Sequence, residues 1–420
     1  MTDSLIQSIN RDMPTYCYGA GNYGQVAALY LRNKGIEING FIQTEKRDSS
    51  SVFGFRVYSL AEVIDKAREA NIIVCVGTRY REEIVEFLAH NHIMGTYMMS
   101  ADEYAEMHEA IKYSFPQQYV EKDTKNNIFS GFYHRVANLA SDPWKMAIPP
   151  ERFEEHLKVF RDAFPVIRFD EPWEGIKEKR TVITFDDGYY DFYKHAYPLL
   201  EKYETPATIF ISTRNIGKKR EFWWDQLERI LWHSSETPKS IAVGDLEVET
   251  ATENARLEAL PVIRMELKTK YSPEGREKFL DALEAKCQGT IEANPEGRTM
   301  TEQEIVELSK SKYITIGAHT VSHASLPFLN KEEQRREILK AKERLEELID
   351  KPVTVFSYPF GNYDDTSVQI ARELFYRTRT IVPGMKIEDS ALIPGNDIGS
   401  LSGKELSSYL RYYWNMHGND

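Results

Sequence analysis

One stretch of the sequence joins a buried strand to two adjacent carboxylates. Residues 181–185 are all β-branched or aromatic, as expected of a buried strand, and Asp186 and Asp187 end it. Residues 189–203 follow with helical spacing, and residues 206–211 are predicted to form the next strand. Parallel α/β folds place their chemistry at the carboxyl ends of strands. The stretch therefore predicts either a catalytic pair of acids or an ordinary Asp-Asp-Gly turn.

A second apolar stretch ends in two histidines. Residues 313–318 have the composition of another strand, and His319 and His323 follow it. On a helical turn, residues four apart lie on the same side, and imidazole is a common metal ligand. With an aspartate from the first strand they give the two-histidine, one-carboxylate set of a catalytic divalent metal site. The alternative is a histidine pair at the surface. This alternative is weakened because the aspartate pair and the histidine pair both follow predicted strands of one α/β pattern.

These stretches resemble the first and second motifs of the polysaccharide deacetylase (NodB-homology) family of metal-dependent carbohydrate esterases. Residues 356–361, with the sequence FSYPFG, resemble the third motif. Residues 133–136, with the sequence YHRV, resemble the strand that opens the domain in many members. The similarity follows the family's motif order, and it implies an α/β fold with a distorted, incomplete (β/α) barrel.

The resemblance assigns roles to individual residues. Asp187, His319 and His323 would hold a divalent metal, with Zn²⁺ as the first candidate. Asp186 would be the general base that takes a proton from water, because a carboxylate on the metal stays ionised and is a poor base. The backbone N–H of Phe360 would help to hold the tetrahedral oxyanion.

Departures from the family pattern leave two roles open. Ser357 stands in place of an arginine that commonly orients the base, and Gly395 replaces another expected arginine. The late Leu-x-His motif, which supplies the general acid in many members, has no counterpart after Phe375, since the only later histidine is His417. His134, at the predicted carboxyl end of the opening strand, is the candidate acid; a supporting or core position is the alternative.

Residues 1–108 predict a separate Rossmann-like domain. Its first strand is followed by the pattern GAGNYG and then by a helix. In this context Gly19, Gly21, Asn22 and Gly24 would let backbone N–H groups approach a phosphate at the helix N-terminus. A scaffold that has lost its ligand and serves packing or dimerisation is the alternative.

The ligand of this domain is predicted to be a nucleotide or a nucleotide sugar. The acid expected roughly 20 residues after the glycines is ambiguous, because Gln43 lies at the predicted strand end and Glu45 beyond it, which argues against NAD. Residues 57–60 and 77–81 are similar to the small nucleotide-sugar-binding domain of bacterial sugar acetyltransferases. The similarity implies binding of a nucleotide sugar, or regulation by one.

Two further segments complete the predicted organisation. Residues 109–127 are polar and charged and predict a linker, so that the barrel domain spans residues 128–420. A helical insertion at residues 214–298 separates the first two motifs. Its clustered tryptophans predict either a helix packed on the barrel or a surface that stacks on sugar rings. The insertion is also a candidate lid over the cleft.

Composition and charge exclude several classes of protein. The chain has 420 residues, of which 41% are hydrophobic, enough for two or three cores. Its net charge of −12 argues against nucleic acid or an anionic membrane surface as a partner. No apolar run suits a transmembrane helix, and residues 1–13 lack a signal-peptide core. Three scattered cysteines indicate reduced thiols, so we expect a cytoplasmic protein.

Together these features predict a metal-dependent hydrolase that removes an N-acetyl, or other N-acyl, group from an amino sugar. A cytoplasmic location and the N-terminal domain favour a nucleotide-linked or lipid-linked precursor, or an oligosaccharide, of surface glycan synthesis. One alternative is an amidase or esterase on a non-sugar substrate. Another is an inactive barrel whose function is to bind a nucleotide sugar. The oligomeric state is not predicted by the sequence.

Overall fold

The computed structural model of this protein describes residues 2–19, 22–44, 51–52, 55–75, 78–99, 103, 107, 128–381 and 391–417. The chain divides into two compact units. The first comprises Met1–Thr124 with Val382–Lys386, and the second Lys125–Ile381 with Ile387–Asp420. The predicted linker, together with Gly21 and Glu45, lies outside the described residues.

The first unit is built on a six-stranded sheet. Its elements are α1 (Thr2–Ser8), β1 (Thr15–Tyr18), α2 (Asn22–Asn33), β2 (Gly40–Gln43), β3 (Ser51–Val52), β4 (Phe55–Ser59), α3 (Leu60–Arg68), β5 (Asn71–Val74), α4 (Thr78–His90) and β6 (Thr96–Met98). The order is β3-β4-β2-β1-β5-β6, and every neighbouring pair except β3–β4 is parallel. Numbered along the chain, the five parallel strands lie in the order 3-2-1-4-5, as at the start of doubly wound nucleotide-binding sheets.

Two glycines of the predicted phosphate loop have geometries that only glycine accepts easily. Gly19 directly follows β1 with a φ of 105°. A Cβ on Gly24, in the first turn of α2, would collide with the carbonyl oxygen of Gly19. The glycines therefore allow a tight strand-to-helix turn, as a phosphate loop requires. Asn22 begins α2, and ligand binding by this loop stays a prediction.

The second unit is a parallel (β/α) barrel, as the sequence predicts. Its sheet has the order β17-β16-β15-β14-β11-β10-β7-β18. Strands β17 and β18 follow each other in the chain. β17 pairs with β16 at one edge of the sheet and β18 pairs with β7 at the other, so the two strands bring these edges together. Its strands are β7 (Ile128–Tyr133), β8 (Arg135–Val136), β9 (Ala147–Ile148), β10 (Arg180–Phe185), β11 (Ala207–Ile211), β14 (Ile314–Ala318), β15 (Val355–Ser357), β16 (Arg377–Thr380), β17 (Leu392–Pro394) and β18 (Asn396–Asp397), with β8 and β9 paired separately.

Helices cover the outside of the barrel. They are α5 (Pro150–Ala163), α6 (Tyr197–Lys202), α10 (Glu302–Leu308), α11 (Lys331–Ile349), α12 (Asp365–Leu374) and α13 (Gly403–His417). Strands β7, β11 and β14 are buried along their whole length, because a parallel sheet is covered on both faces. The core between strands and helices includes Phe129, Ile183, Ile209, Ile338 and Phe356.

The predicted insertion folds around a core of its own. It contains α7 (Trp223–Trp232), the hairpin β12 (Ser240–Val243) with β13 (Leu246–Glu249), α8 (Glu253–Lys270) and α9 (Pro273–Glu284). The hairpin is not predicted by the sequence analysis. The core of the insertion includes Leu227, Ile263 and Leu280, and it extends to Tyr189 of the barrel. Within the described ranges, no helix has the length and apolarity needed to cross a bilayer.

Candidate metal centre and active site

The two adjacent aspartates at the end of β10 point to different partners. Both are almost completely buried, with 1% of each residue exposed. Asp187 has a φ of 74°, in the left-handed region, and Gly188 follows with a φ of 89°. A Cβ at Gly188 would come within 2.8 Å of Ile211, so the turn depends on glycine there. This sharp turn separates the two carboxylates.

Asp187 faces both predicted histidines. Its Oδ1 lies 3.1 Å from His323 Nε2 and 3.6 Å from His319 Nε2. The three side chains are buried, and their ligand atoms lie within 4.8 Å of one another. Burial by itself raises the pKa of Asp187, but the two histidines outweigh burial and lower this pKa below its ordinary value. The carboxylate is therefore ionised, as a metal ligand must be.

The tautomer of His319 is set by the backbone. Its Nδ1 lies 2.7 Å from the carbonyl oxygen of Ser357, which only accepts, so Nδ1 carries a proton and donates it. The distance from Nε2 to Asp187 is too long for a hydrogen bond. Nε2 is therefore the ring nitrogen left to face the carboxylate, as in a metal-binding histidine whose other nitrogen donates to a carbonyl oxygen.

His323 is held as a neutral imidazole between two aromatic rings. Burial lowers its pKa to about 4, although the charge of Asp187 acts in the opposite direction. The ring centroids of Trp224 and Phe360 lie 4.6 and 4.4 Å from that of His323. Neutral imidazole is the form that binds metals. The donor set of two histidines and one aspartate thus fits a divalent cation such as Zn²⁺.

The histidines do not converge through a helical turn, and that part of the sequence interpretation is wrong. The segment after β14 is irregular. Thr320 and His323 have φ angles of 61° and 51°, which interrupt any right-handed helix. Thr320 accepts a hydrogen bond from the N–H of Ala324 at 3.3 Å, which closes the loop. The spacing of four residues brings the rings together by a different backbone path.

Left-handed backbone conformations concentrate at this site. Among the residues that the structure describes, eight non-glycine residues have a positive φ. Four of them are Asp187, Thr320, His323 and Phe360. Such conformations are uncommon for branched and bulky residues, and they cluster at functional sites. This concentration indicates that the loops are shaped for ligand binding as well as for packing.

Asp186 faces an arginine that the sequence analysis did not single out. Nη2 of Arg379, on β16, donates to Asp186 Oδ2 and to Ser357 Oγ, the latter at 2.8 Å. The arginine is fully buried. Asp186 Oδ1 is buried and has no hydrogen-bond partner among the described residues. One carboxylate oxygen is thus fixed by a guanidinium, and the other is left for a ligand or water.

A comparison with known families identifies this unit. Residues 174–235 and 271–378 match the sequence model of the family described as polysaccharide deacetylase. The matched stretches include Asp186, Asp187 and the two histidines that face Asp187. The chain contains a polysaccharide deacetylase domain. Arg379 lies just beyond the matched residues.

Individual relatives of the deacetylase domain are distant. The candidate polysaccharide deacetylase YxkH of Bacillus subtilis (strain 168) is 21% identical over 296 residues, covering 68% of this chain and 75% of that protein. A candidate polysaccharide deacetylase of Bacillus anthracis has a TM-score of 0.44 and 17% identity, covering 67% of this chain and 68% of that chain. The Streptococcus pyogenes deacetylase PplD, solved in complex with acetate, has a TM-score of 0.42 and 18% identity, covering 68% of this chain and 98% of that chain.

Arg379 fills the position left open by the two departures from the family pattern. Its guanidinium bonds to Ser357, the residue that stands in place of the expected arginine. A Cβ at Gly395 would approach Arg379 Nη1 to 2.8 Å. Glycine at 395 therefore makes room for the guanidinium. The signal in the sequence is the strand RTRT at residues 377–380, because two arginines in a buried strand need specific partners.

The remaining predicted residues of the deacetylase domain lie around the candidate metal centre. Phe360 has a φ of 58°, and its ring packs on His323. His134 follows β7 and is close enough to lower the pKa of Asp187 by its charge. The ring of His134 packs edge-on against Phe132 at 5.4 Å. Trp224 is buried, so it forms a wall of the site and not a surface for sugar stacking.

Proposed function

We propose that the deacetylase domain is a metal-dependent hydrolase that removes an N-acetyl, or other N-acyl, group from an amino sugar. One observation carries the proposal. Two adjacent buried aspartates face different partners, Asp187 the imidazoles of His319 and His323, and Asp186 the guanidinium of Arg379. This division separates a metal ligand from a proton acceptor.

Asp187, His319 and His323 would hold the divalent cation. When bound, such a cation lowers the pKa of water and polarises an acyl carbonyl group. The protein supplies a neutral His323 and a His319 whose ring is oriented by the Ser357 carbonyl. These features favour metal binding by an oriented His319 and without the loss of a proton from His323.

Asp186 would act as the general base. Its Oδ2 is held by Arg379, so its Oδ1 can accept the proton of a water molecule without a change of side-chain rotamer. The water oxygen bonds to the acyl carbon, and the carbonyl oxygen becomes an oxyanion. The backbone N–H of Phe360 would donate to this oxyanion.

His134 would complete the reaction as general acid. The bond between the acyl carbon and the sugar nitrogen breaks, and the nitrogen takes a proton from His134 as it leaves. The products are a carboxylate, acetate for an N-acetyl group, and a free amino sugar. The proton that Asp186 accepted then returns to solvent or to His134.

We further propose that the substrate is a nucleotide-linked or lipid-linked sugar precursor in the cytoplasm. The strand order of the first unit and its close glycine turn support a nucleotide site there. Cys17, Cys75 and Cys287 form no disulfide bonds with other described residues, as expected in a reducing compartment.

The test combines metal analysis with a screen for acetate release. The purified protein is loaded with Zn²⁺ and incubated with uridine diphosphate N-acetyl sugars and with short N-acetylated oligosaccharides. Stoichiometric metal and acetate release from any of these sugars support the proposal. A metal-free protein that binds nucleotide sugars but releases no acetate would favour the scaffold function. Hydrolysis confined to non-sugar amides or esters would contradict the sugar assignment.

A further inference from the structure

The segment between the two stretches that match the family reaches the metal centre. Residues 236–270 are outside the match and form the hairpin and helix α8 of the insertion. Arg264 and Lys268 lie four residues apart on α8, and both cations contact the ring of Phe360. Lys268 Nζ lies 4.0 Å from the ring centroid and the Arg264 guanidinium carbon 5.8 Å. The same ring packs on the metal-ligand candidate His323.

The ammonium form of Lys268 is poorly compensated by its surroundings. Its side chain is partly buried. Burial and then the charge of Arg264 lower the pKa of Lys268 to about 7, and no described carboxylate contributes to this shift. With the Asn362 amide in the orientation that satisfies its hydrogen bonds, Nζ donates to its oxygen at 3.0 Å. An amide is neutral and offsets only part of the cost of burying an ammonium group.

Three basic residues of the insertion pair with carboxylates. Lys270, also on α8, lies 3.0 Å from Glu266. A crevice beside His323 is bordered by Arg214 and Arg220, which pair with Glu277 at 2.8 Å and with Asp281 at 2.7 Å. Lys268 differs from these residues because the charged group that acts on it is another cation, Arg264. Like charges four residues apart on a helix repel each other.

The ring of Trp144 completes this side of the site. The Arg264 guanidinium carbon lies 4.4 Å from the Trp144 ring centroid, within the range of a cation–π contact. Trp144 and Phe360 both pack against the core of the insertion. A fork-shaped donor and a point charge are thus held side by side, next to the place where we put the acyl group. This is the pairing of donors that recognises phosphate groups.

We propose that Arg264 and Lys268 bind a phosphate or diphosphate group of the substrate, next to the acylated sugar. An anion at this position offsets both the burial of Lys268 and its repulsion from Arg264. The assignment of the anion to the substrate rests on the proposed function, since nucleotide-linked and lipid-linked sugars both carry phosphate close to the sugar ring. The anion site itself requires only the geometry of the two side chains.

The first test measures anion binding without catalysis. The full chain, freed of metal, is titrated with inorganic pyrophosphate in a calorimeter. We expect Lys268→Met and Arg264→Gln to weaken binding at least about tenfold, the loss of one charge-assisted hydrogen bond. Lys270→Met, on the same helix, is the matched control and should bind as the wild type does. Unchanged binding in Lys268→Met, or no binding by the wild type, overturns the proposal.

The second test ties the anion site to the substrate. With metal present, kcat/KM for acetate release is compared between uridine diphosphate N-acetylglucosamine and a neutral N-acetylated trisaccharide. Lys268→Met should lower kcat/KM at least about tenfold for the phosphorylated substrate, mainly through KM, and leave the neutral one nearly unchanged. Equal losses on both would overturn the substrate assignment. If the wild type released acetate from neither substrate, the proposed function would be refuted. The pyrophosphate titration would then test the anion site independently of that function.

Discussion

The two aspartates that end β10 are neighbours in sequence and equally buried, but their environments are assembled in different ways. Asp187 faces two histidines of one short segment. Asp186 faces Arg379, which lies 193 residues further along the chain, and the same guanidinium also bonds to Ser357 of another strand. Both environments, the metal side around Asp187 and the base side around Asp186, therefore exist only after strands far apart in the chain have paired. They differ because the two histidines come from one short segment, whereas Arg379 and Ser357 come from two different strands.

The largest effect is expected from removal of the metal side. Asp187→Ala should lose the bound metal and more than about 10³-fold of the deacetylase rate, because the charge stabilisation by the cation is lost. Metal content by mass spectrometry and acetate release by an enzymatic assay measure both. If the variant keeps stoichiometric metal, Asp187 is not a ligand and the two sides have been assigned wrongly.

Asp186→Asn should separate the two sides most clearly. The amide retains the shape of the carboxylate but cannot accept the proton, so the rate should fall by at least ~10²-fold. Metal content should equal that of the wild type, measured in the same preparation. Loss of metal in this variant would mean that Asp186, and not Asp187, binds the cation.

His134→Ala tests whether the metal side includes a third histidine. As general acid, His134 should contribute about 10²-fold to kcat and little to KM, with metal content unchanged. Steady-state kinetics on an acetylated sugar and metal analysis distinguish the roles. Unchanged kcat would exclude it as the acid, and metal loss would make it a further ligand.

Arg379→Met should weaken the base side by a smaller amount. Without the guanidinium, Asp186 loses its fixed orientation, and kcat should fall about 10-fold to 100-fold, as for other residues that orient a reacting group. Arg377→Met is the matched control. It removes a buried guanidinium from the same strand, and this guanidinium donates to the carbonyl oxygens of Phe169 and Glu171 instead of to Asp186. Equal losses of kcat in the two methionine variants would indicate that Arg379 has a purely structural role. The same conclusion would follow if neither Arg379→Lys nor Arg377→Lys restored kcat.

The smallest effect on activity is expected from His156, which lies outside both sides. Tyr133 donates to its Nδ1 at 2.8 Å, and its Nε2 donates to the carbonyl oxygen of Leu401. Burial lowers the pKa of His156 to about 4, against an ordinary value near 6.5. Between these values the unfolded chain binds more protons, so the free energy of unfolding falls as the pH falls through this window.

Denaturant unfolding at two pH values measures this contribution. Between pH 7 and pH 5 the wild type should lose about 2 kcal/mol through His156, and His156→Gln should lose less. An identical slope in both proteins would show that His156 does not titrate in this range.

The strands that carry the candidate metal ligands could be predicted from short stretches of the sequence. The strand at residues 181–185 and the one at 313–318 lead into the candidate ligands, and both stretches have the composition of buried parallel strands. The helical turn predicted for His319 and His323 was wrong, because the spacing of residues does not reveal which of them adopt a left-handed backbone conformation. Spacing limits which side chains can meet, but it does not fix the path between them.

By itself the sequence indicated the strands, the two acids and the two histidines, because strand composition and motif spacing act over a few residues. The barrel was implied by the resemblance to a known family. Only the tertiary structure decided that Arg379 occupies the space left by Gly395 and holds Asp186, and that Lys268 of the insertion lies over Phe360. These contacts join residues far apart in the chain. Their partners are set by the pairing of β-strands and the docking of a helix, which no local pattern encodes.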